Sequence, residues 1–242
     1  MEETQIAVVT GGSRGIGRAV AVDLAVHGYK VVITYRQNDA AAQETLRIIR
    51  EEGGSAEAVK FDIASADEAR QAMDDLLSRL KHVDALINNA GIALDGLFLT
   101  MSPENWQRVI ATNLNGFYNV TKPVLRGMIR RRKGTIVSLS SVSALVGNRG
   151  QANYAAAKAG IIAASRAIAA ETARFGVRIN VVAPGAIDTE MTKGIKREKI
   201  KELIPMGRLG RPEEVARVIR FLCSDDASYI TGQVISVNGG MF

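Results

Sequence analysis

The stretch "IAVVTGGSRGIG", residues 6–17, decides how the rest of the chain is read. A short run rich in β-branched residues, IAVVT, leads without a break into Gly11-x-x-x-Gly15-x-Gly17, and an Ala-rich amphipathic stretch follows at once. Glycine permits the tight turn and the close backbone approach that a ligand needs there. A helix that starts at such a turn points its N–H groups and the positive end of its dipole toward the ligand, which suits a phosphate. Glycine clusters on their own occur in many loops. Set between a first strand and a first helix, this one reads as the opening turn of a dinucleotide-binding unit. Thr10, Gly11, Ser13, Arg14, Gly15, Ile16 and Gly17 are its candidate cofactor-binding residues.

The pattern continues outward. Strands are predicted at 6–10, 30–35, 56–61, 84–89, 134–140, 177–183 and 233–238. Helical patterns alternate with them at 15–28, 39–52, 66–80, 103–131, 153–174 and 212–223. Several strands are apolar almost throughout, as strands covered on both faces are. The alternation implies an α/β fold: a single doubly wound Rossmann-type domain spanning residues 1–242, with a mostly parallel seven-stranded sheet and helices on both faces. Ligands of such sheets lie beyond the carboxyl ends of the strands.

Composition narrows the class. At 242 residues, 47% hydrophobic and 23% charged, the chain suits a soluble protein with a sizeable core. The one cysteine, Cys223, ends the apolar run "VIRFLC" and reads as a small buried residue. It leaves no disulfide framework and suits a reducing compartment. The apolar runs are too short for a signal-peptide core or a membrane span, so a cytoplasmic, membrane-free protein is expected. The net charge is +6, and the densest basic run, "RGMIRRRK" (126–133), has no interleaved aromatics. That speaks against nucleic acid and leaves an acidic protein partner or a polyanionic cofactor. His27 and His82 read as structural, and no Cys/His spacing suggests a metal.

The strand ends carry the next signals. The second ends in "TYRQND", with Arg36 where an NAD-selecting fold places an acid. Arg36 and Arg14 offer planar donors to a 2′-phosphate and point to NADP(H), with the nearby Asp39 as the opposing signal. "FDIA" supplies Asp62 for the adenine amino group and Ile63 for the ring face. "NNAG" ends the fourth strand with the amide of Asn89 and the small residues Ala90 and Gly91. The fifth ends in "SLSSVSA", which contains Ser141, and "NLNGFY" contains Asn113.

"YAAAK" sets Tyr154 and Lys158 one helical turn apart on a shared face. In a basic chain with five tyrosines such a pair also arises by chance. Its chemical reading is specific. A phenol is a poor acid–base group at neutral pH, and a neighbouring ammonium lowers its pKa. Tyr154 would then protonate a carbonyl oxygen while a nicotinamide supplies hydride, with Ser141 hydrogen-bonded to the same oxygen.

"TGGSRGIG", "NNAG", "NLNG", Ser141, "YAAAK", "APGAIDTEM" and "YITGQVISVNGG" together resemble the short-chain dehydrogenase/reductase family, over nearly the whole chain. Within that family, "GQANYAAAKAG", "GRLGRPEEVA" and "VNGGMF" look most like the 3-oxoacyl-[acyl-carrier-protein] reductases. The resemblance implies NADPH-dependent reduction of a 3-oxoacyl thioester. Tyr154 would be the acid–base residue, Lys158 would hold the nicotinamide ribose and tune Tyr154, and Ser141 would bind the carbonyl oxygen. Asn113 would support a water-linked proton relay, and Pro184, Gly185, Ile187 and Thr189 would line the nicotinamide. The resemblance also implies a homotetramer and an acyl carrier protein partner, with Arg130, Arg131, Arg132 and Lys133 as its candidate dock. Two positions depart from the pattern: Gly12 stands where alanine is common, and Arg149 replaces a usual glycine. Other carbonyls or alcohols on this scaffold (sugar, polyol, steroid, quinone) stay open, with loops 92–100 and 187–205 expected to choose among them. A non-catalytic NADP-binding scaffold is the reading from another class, and the set Asn113–Ser141–Tyr154–Lys158 argues against it.

Overall fold

The computed structural model describes residues 4–192 and 202–242. Strands β1 (Ile6–Thr10), β2 (Lys30–Tyr35), β3 (Ser55–Lys60), β4 (Ala85–Asn88), β5 (Gly134–Leu139), β6 (Val177–Pro184) and β7 (Val234–Val237) form one sheet. Every pairing is parallel, in the order β3-β2-β1-β4-β5-β6-β7. The order reverses between β1 and β4, and that is where a crevice opens at the strand ends. The predicted strands and most predicted helices appear within a residue or two of their expected limits. Among the described residues no helix is long and apolar enough to cross a membrane.

Alternation along the strands explains the layers. Ala7, Val9, Val31, Ile33 and Ile87 face one side, under α1 (Gly15–Val26), α2 (Asp39–Glu51) and Val215, Ile219 and Leu222 of Pro212–Cys223. Ile6, Val8, Val32, Leu86 and Ile136 face the other, under α3 (Ala66–Arg79) and Val120, Val124 and Met128 of Gly116–Arg131. Each such side chain, fully buried, contributes roughly 1.5–3 kcal/mol.

Caps start the helices in a telling pattern. Asn38 accepts from Ala41 N ahead of α2, Ser65 from Glu68 N ahead of α3, and Ser102 from Asn105 N ahead of α4 (Pro103–Ile110). Arg14, which precedes α1, makes no side-chain cap. The first amides of α1 are therefore left for a ligand.

The single helix expected over 103–131 is broken. Between α4 and α5 (Gly116–Arg131) lies a π turn, Ala111–Asn115. The Asn113 amide explains it: its Nδ2 donates to Val109 O at 2.8 Å and to Ile92 O at 2.9 Å. A side chain that takes a carbonyl four residues back displaces the regular ladder there. After β5 come the short α6 (Ser143–Val146), α7 (Ala152–Thr172) and, near the C-terminus, α8 (Pro212–Cys223).

The opposite end of the strands is closed by Asp84, which is 7% exposed. Its carboxylate accepts from Ile6 N at 2.8 Å, pairs with His82 Nε2 at 3.0 Å and meets the Arg131 guanidinium at 3.2 Å. One acid thus joins the starts of β1 and β4 to the end of α5, and the structural reading of His82 agrees with its place beside it. Asp84→Ala takes the acceptor from Ile6 N and the carboxylate from His82 and Arg131, and should cost about 3 kcal/mol, read as a lower urea midpoint at unchanged slope. An unchanged midpoint would show that Asp84 carries no stability.

Candidate active site

The three loop glycines have different tasks. Gly11 and Gly15 adopt φ of +65° and +55°. A Cβ on Gly11 would strike Ala90, and one on Gly17 would strike Gly11 O and the Asn89 amide. Above Gly15, among the described residues, only Thr189 is near, 3.6 Å from where a Cβ would stand. Gly11 and Gly17 therefore let protein pack on protein, and Gly15 keeps the open side of the turn. Asn89, expected to offer its amide to the cofactor, spends that amide on the loop: Nδ2 donates to Thr10 O at 2.8 Å and to Gly11 O at 3.0 Å. The Thr10 hydroxyl accepts from Asn89 N and Ala90 N, each at 3.0 Å. Ser13 is buried, and its carbonyl accepts from Arg18 and Thr45, two residues the sequence did not single out. Ile16 packs against the core. Open space over Gly15 and the uncapped start of α1 fit a pyrophosphate.

Both arginines of the phosphate reading stand at this cleft, each with a carboxylate partner. Arg14 Nη1 meets Glu190 at 2.7 Å, and Arg36 Nη1 meets Asp62 at 3.3 Å. Asp62 also accepts from Ala64 N at 2.9 Å, and Ile63 is buried. Asp39, the opposing signal, is occupied elsewhere, by the Tyr35 hydroxyl and by Lys60, each at 2.9 Å. The bond from Lys60 holds the Asp39 carboxyl below its usual range.

At the end of β5 and the start of α7 the structure brings the four chemical residues together. Lys158 is 3% exposed and donates from Nζ to Leu139 O at 2.8 Å. The Ser140 hydroxyl holds Lys158 O at 2.9 Å, another partner the sequence reading missed. Lys158 Nζ lies 5.7 Å from the Tyr154 ring centroid. Gly91 is the reason Lys158 and Asn113 can approach: a Cβ there would strike Asn113 Oδ1 and lie 3.3 Å from Lys158 Nζ. Asn113 is 1% exposed, and its Oδ1 has no hydrogen-bond donor among the described residues. An acceptor so placed beside an ammonium suits a bound water or hydroxyl.

Burial pushes the Tyr154 phenol up, a hydrogen bond with Ser141 partly offsets this, and the Asp95 charge adds to the rise. Burial pushes Lys158 down to about 8. The downward shift expected for Tyr154 from its lysine is therefore replaced by an upward one, and burial is its main cause. Tyr118 and Lys122 on α5 repeat the same spacing, with Nζ donating to the phenol oxygen at 2.6 Å. That pair is exposed. Spacing does not separate the two pairs; burial and the neighbouring Ser141 and Asn113 do.

Pro184 ends β6, and Gly185 passes close to Asn238. Ile187 is buried and pairs with Gly210, while Thr189 overhangs Gly15. Of the loop 187–205, residues 193–201 lie outside the described residues.

A family model described as "Enoyl-(Acyl carrier protein) reductase" matches residues 11–242. A 3-oxoacyl-[acyl-carrier-protein] reductase of Synechocystis sp. is 48% identical, over 98% of this chain and 96% of its own. One from Aquifex aeolicus is 46% identical, over 98% and 97%. An acetoacetyl-CoA reductase of Shinella zoogloeoides is 44% identical, over 99% of each chain.

The depressed Lys158 has a consequence for stability. Its folded pKa of about 8 lies below the ordinary 10.5. Below the folded value both states are protonated and the full burial cost is present. As pH rises from about 8 toward 10.5, the folded state gives up its proton first and the cost fades. Lys158→Met should thus be more stable than the parent by on the order of 3 kcal/mol at neutral pH, with the gap closing through that window. Thermal scans across pH measure it, and a constant or reversed gap refutes the assignment.

Proposed function

The chain belongs to the short-chain dehydrogenase/reductase family, and from that premise we propose that it reduces a 3-oxoacyl thioester on acyl carrier protein to the 3-hydroxyacyl form, with NADPH as reductant. The observation that carries this reading is the meeting of two hydroxyls, Ser141 and Tyr154, close enough for Ser141 to lower the phenol pKa against burial, backed by the buried Lys158 and Asn113. Two O–H donors at one point suit a carbonyl oxygen reduced at its own carbon. The nicotinamide supplies the hydride to that carbon. Ser141 hydrogen-bonds the substrate oxygen as it gains charge, and Tyr154 delivers the proton that makes it an alcohol. A raised phenol pKa suits this direction, because Tyr154 is protonated when the ketone arrives. Arg14 and Arg36 support NADPH over NADH, since their guanidinium groups border the cleft where the adenosine end would lie.

The thioester reading rests on relatives whose names specify 3-oxoacyl-carrier-protein and acetoacetyl-CoA substrates. The second of these favours a CoA-linked substrate as the alternative. The basic run supports the carrier protein. Arg130, Arg132 and Lys133 are exposed. Arg132 and Arg174 both cover the Phe175 ring, and Arg132 Nη2 donates to Arg174 O at 2.9 Å. Arg131 differs from the expected dock, because it is committed to Asp84. This patch lies at the end of α5 away from Asn113. The 16 residues of α5 span about 24 Å. A carrier docked there extends its arm along the subunit or serves a neighbouring copy, as a homotetramer would allow.

Three variants test the reading. Tyr154→Phe should keep NADPH binding and lose at least about a hundredfold in turnover. Arg36→Asp should weaken NADPH far more than NADH, and equal weakening would show that Arg36 does not read the phosphate. Reversing Arg130, Arg132 and Lys133 to Glu should raise KM for carrier-linked substrate about tenfold or more and spare a CoA-linked one. Equal kinetics on both would leave the CoA thioester as the substrate.

A further inference from the structure

Ser141 is itself held in place by a chain of residues outside the set of four. Its Oγ accepts from Ser143 N at 3.1 Å. Ser143 is 7% exposed and gives its hydroxyl proton to Gln151 Oε1 at 2.8 Å. Gln151 Nε2 donates to both carboxylate oxygens of Asp95, each at 3.1 Å. Asn148 Nδ2 joins at Gln151 Oε1, at 3.0 Å. Backbone bonds brace the same corner: Gly96 N donates to Gly150 O at 2.8 Å, and Asn153 Nδ2 donates to Leu94 O at 3.0 Å. The segment after β4 is thereby tied to α6 and to the start of α7.

The direction of each bond follows from its partners. A carboxylate only accepts, so Asp95 compels Gln151 to present its NH2. The amide oxygen must then face Ser143, and that oxygen draws the Ser143 proton. Gripped by Gln151, Ser143 is held so that its backbone N–H occupies one lone pair of Ser141 Oγ. The Ser141 proton is left to be donated. We propose that Asp95, Gln151 and Ser143 are positioning residues that fix the Ser141 hydroxyl as a hydrogen-bond donor to the substrate oxygen. The inference rests on the ketone-reduction reading for its kinetic consequence, but the chain also acts on a group that is measurable without substrate. Asp95 is the charged end, and its charge raises the Tyr154 phenol; the other groups facing Tyr154 are Ser141 and the ammonium of Lys158.

Gln151→Leu cuts the chain and should lower kcat about tenfold or more, with a much smaller change in KM and in equilibrium binding of NADP+. Asp95→Asn keeps an acceptor for Gln151 and removes the charge. The phenolate absorbance of Tyr154, read against a Tyr154→Phe background, should then titrate at a pH lower by about half a unit or more. The alkaline limb of the rate profile should move the same way. Full kcat in a folded Gln151→Leu protein overturns the proposal. So does an unmoved Tyr154 titration in Asp95→Asn, which decides the matter alone if Gln151→Leu does not fold. If the parent protein fails to reduce a 3-oxoacyl thioester, the functional reading fails, and the Tyr154 titration still tests the chain.

Discussion

Two side chains, Thr10 and Asn89, hold the ends of β1 and β4 together at the point where the strand order reverses. The Thr10 hydroxyl accepts two backbone amides from the β4 end, and the Asn89 amide returns two bonds to the carbonyls of Thr10 and Gly11. These contacts satisfy polar groups that a half-buried strand end would otherwise strand. They also set the position of everything that follows in each direction. The glycine loop leaves from Thr10, and Gly91 follows Asn89 by two residues. Gly91 is the floor over which Asn113 and Lys158 meet. The cofactor side and the chemical side of the cleft therefore share one anchor.

The site works against the stability of the fold around it. Lys158 sits nearly without exposure, with one carbonyl for its ammonium, and Asn113 Oδ1 is buried without a donor among the described residues. Asn113 also distorts α4–α5 into a π turn. A chain selected for stability alone would place apolar residues at both positions. Three of the five buried polar side-chain atoms without a hydrogen-bond partner among the described residues, on Asn88, Thr112 and Asn113, gather around this point, as a region kept for function would show.

Strands and helices were legible because their signals are local. Apolar runs such as IAVVT and KVVITY have only one way to be buried on both faces, and the order of βα units restricts the topology. The glycine loop, Ser141, Tyr154 and Lys158 were legible because each sits at a strand end or on one helical face. The π turn was not legible, since the apolar periodicity of 103–131 continues through it and only a side-chain bond to Val109 O interrupts the ladder. Contacts distant in sequence were hidden as well. Nothing near Arg131 reveals that it belongs to Asp84, and nothing near Gln151 reveals Asp95, 56 residues away. The sign of the Tyr154 shift was misjudged for the same reason. Sequence shows the lysine one turn away but not the burial of the phenol, which raises its pKa.

That burial matters to how the cycle closes. In the proposed reduction Tyr154 gives up its proton and must regain one in a buried place. The phenol has been pushed up by burial, and Lys158 has been pushed down to about 8 by the same cause. Burial acts oppositely on an acid that becomes charged by losing a proton and a base that becomes charged by gaining one. A proton passing from the Lys158 side to the Tyr154 phenolate therefore moves downhill and removes two opposite charges from a poorly solvated site. The return is harder by the same amount. The desolvation that makes Lys158 costly to the fold thus favours regeneration of the protonated phenol, the form of Tyr154 that the proposed reduction needs.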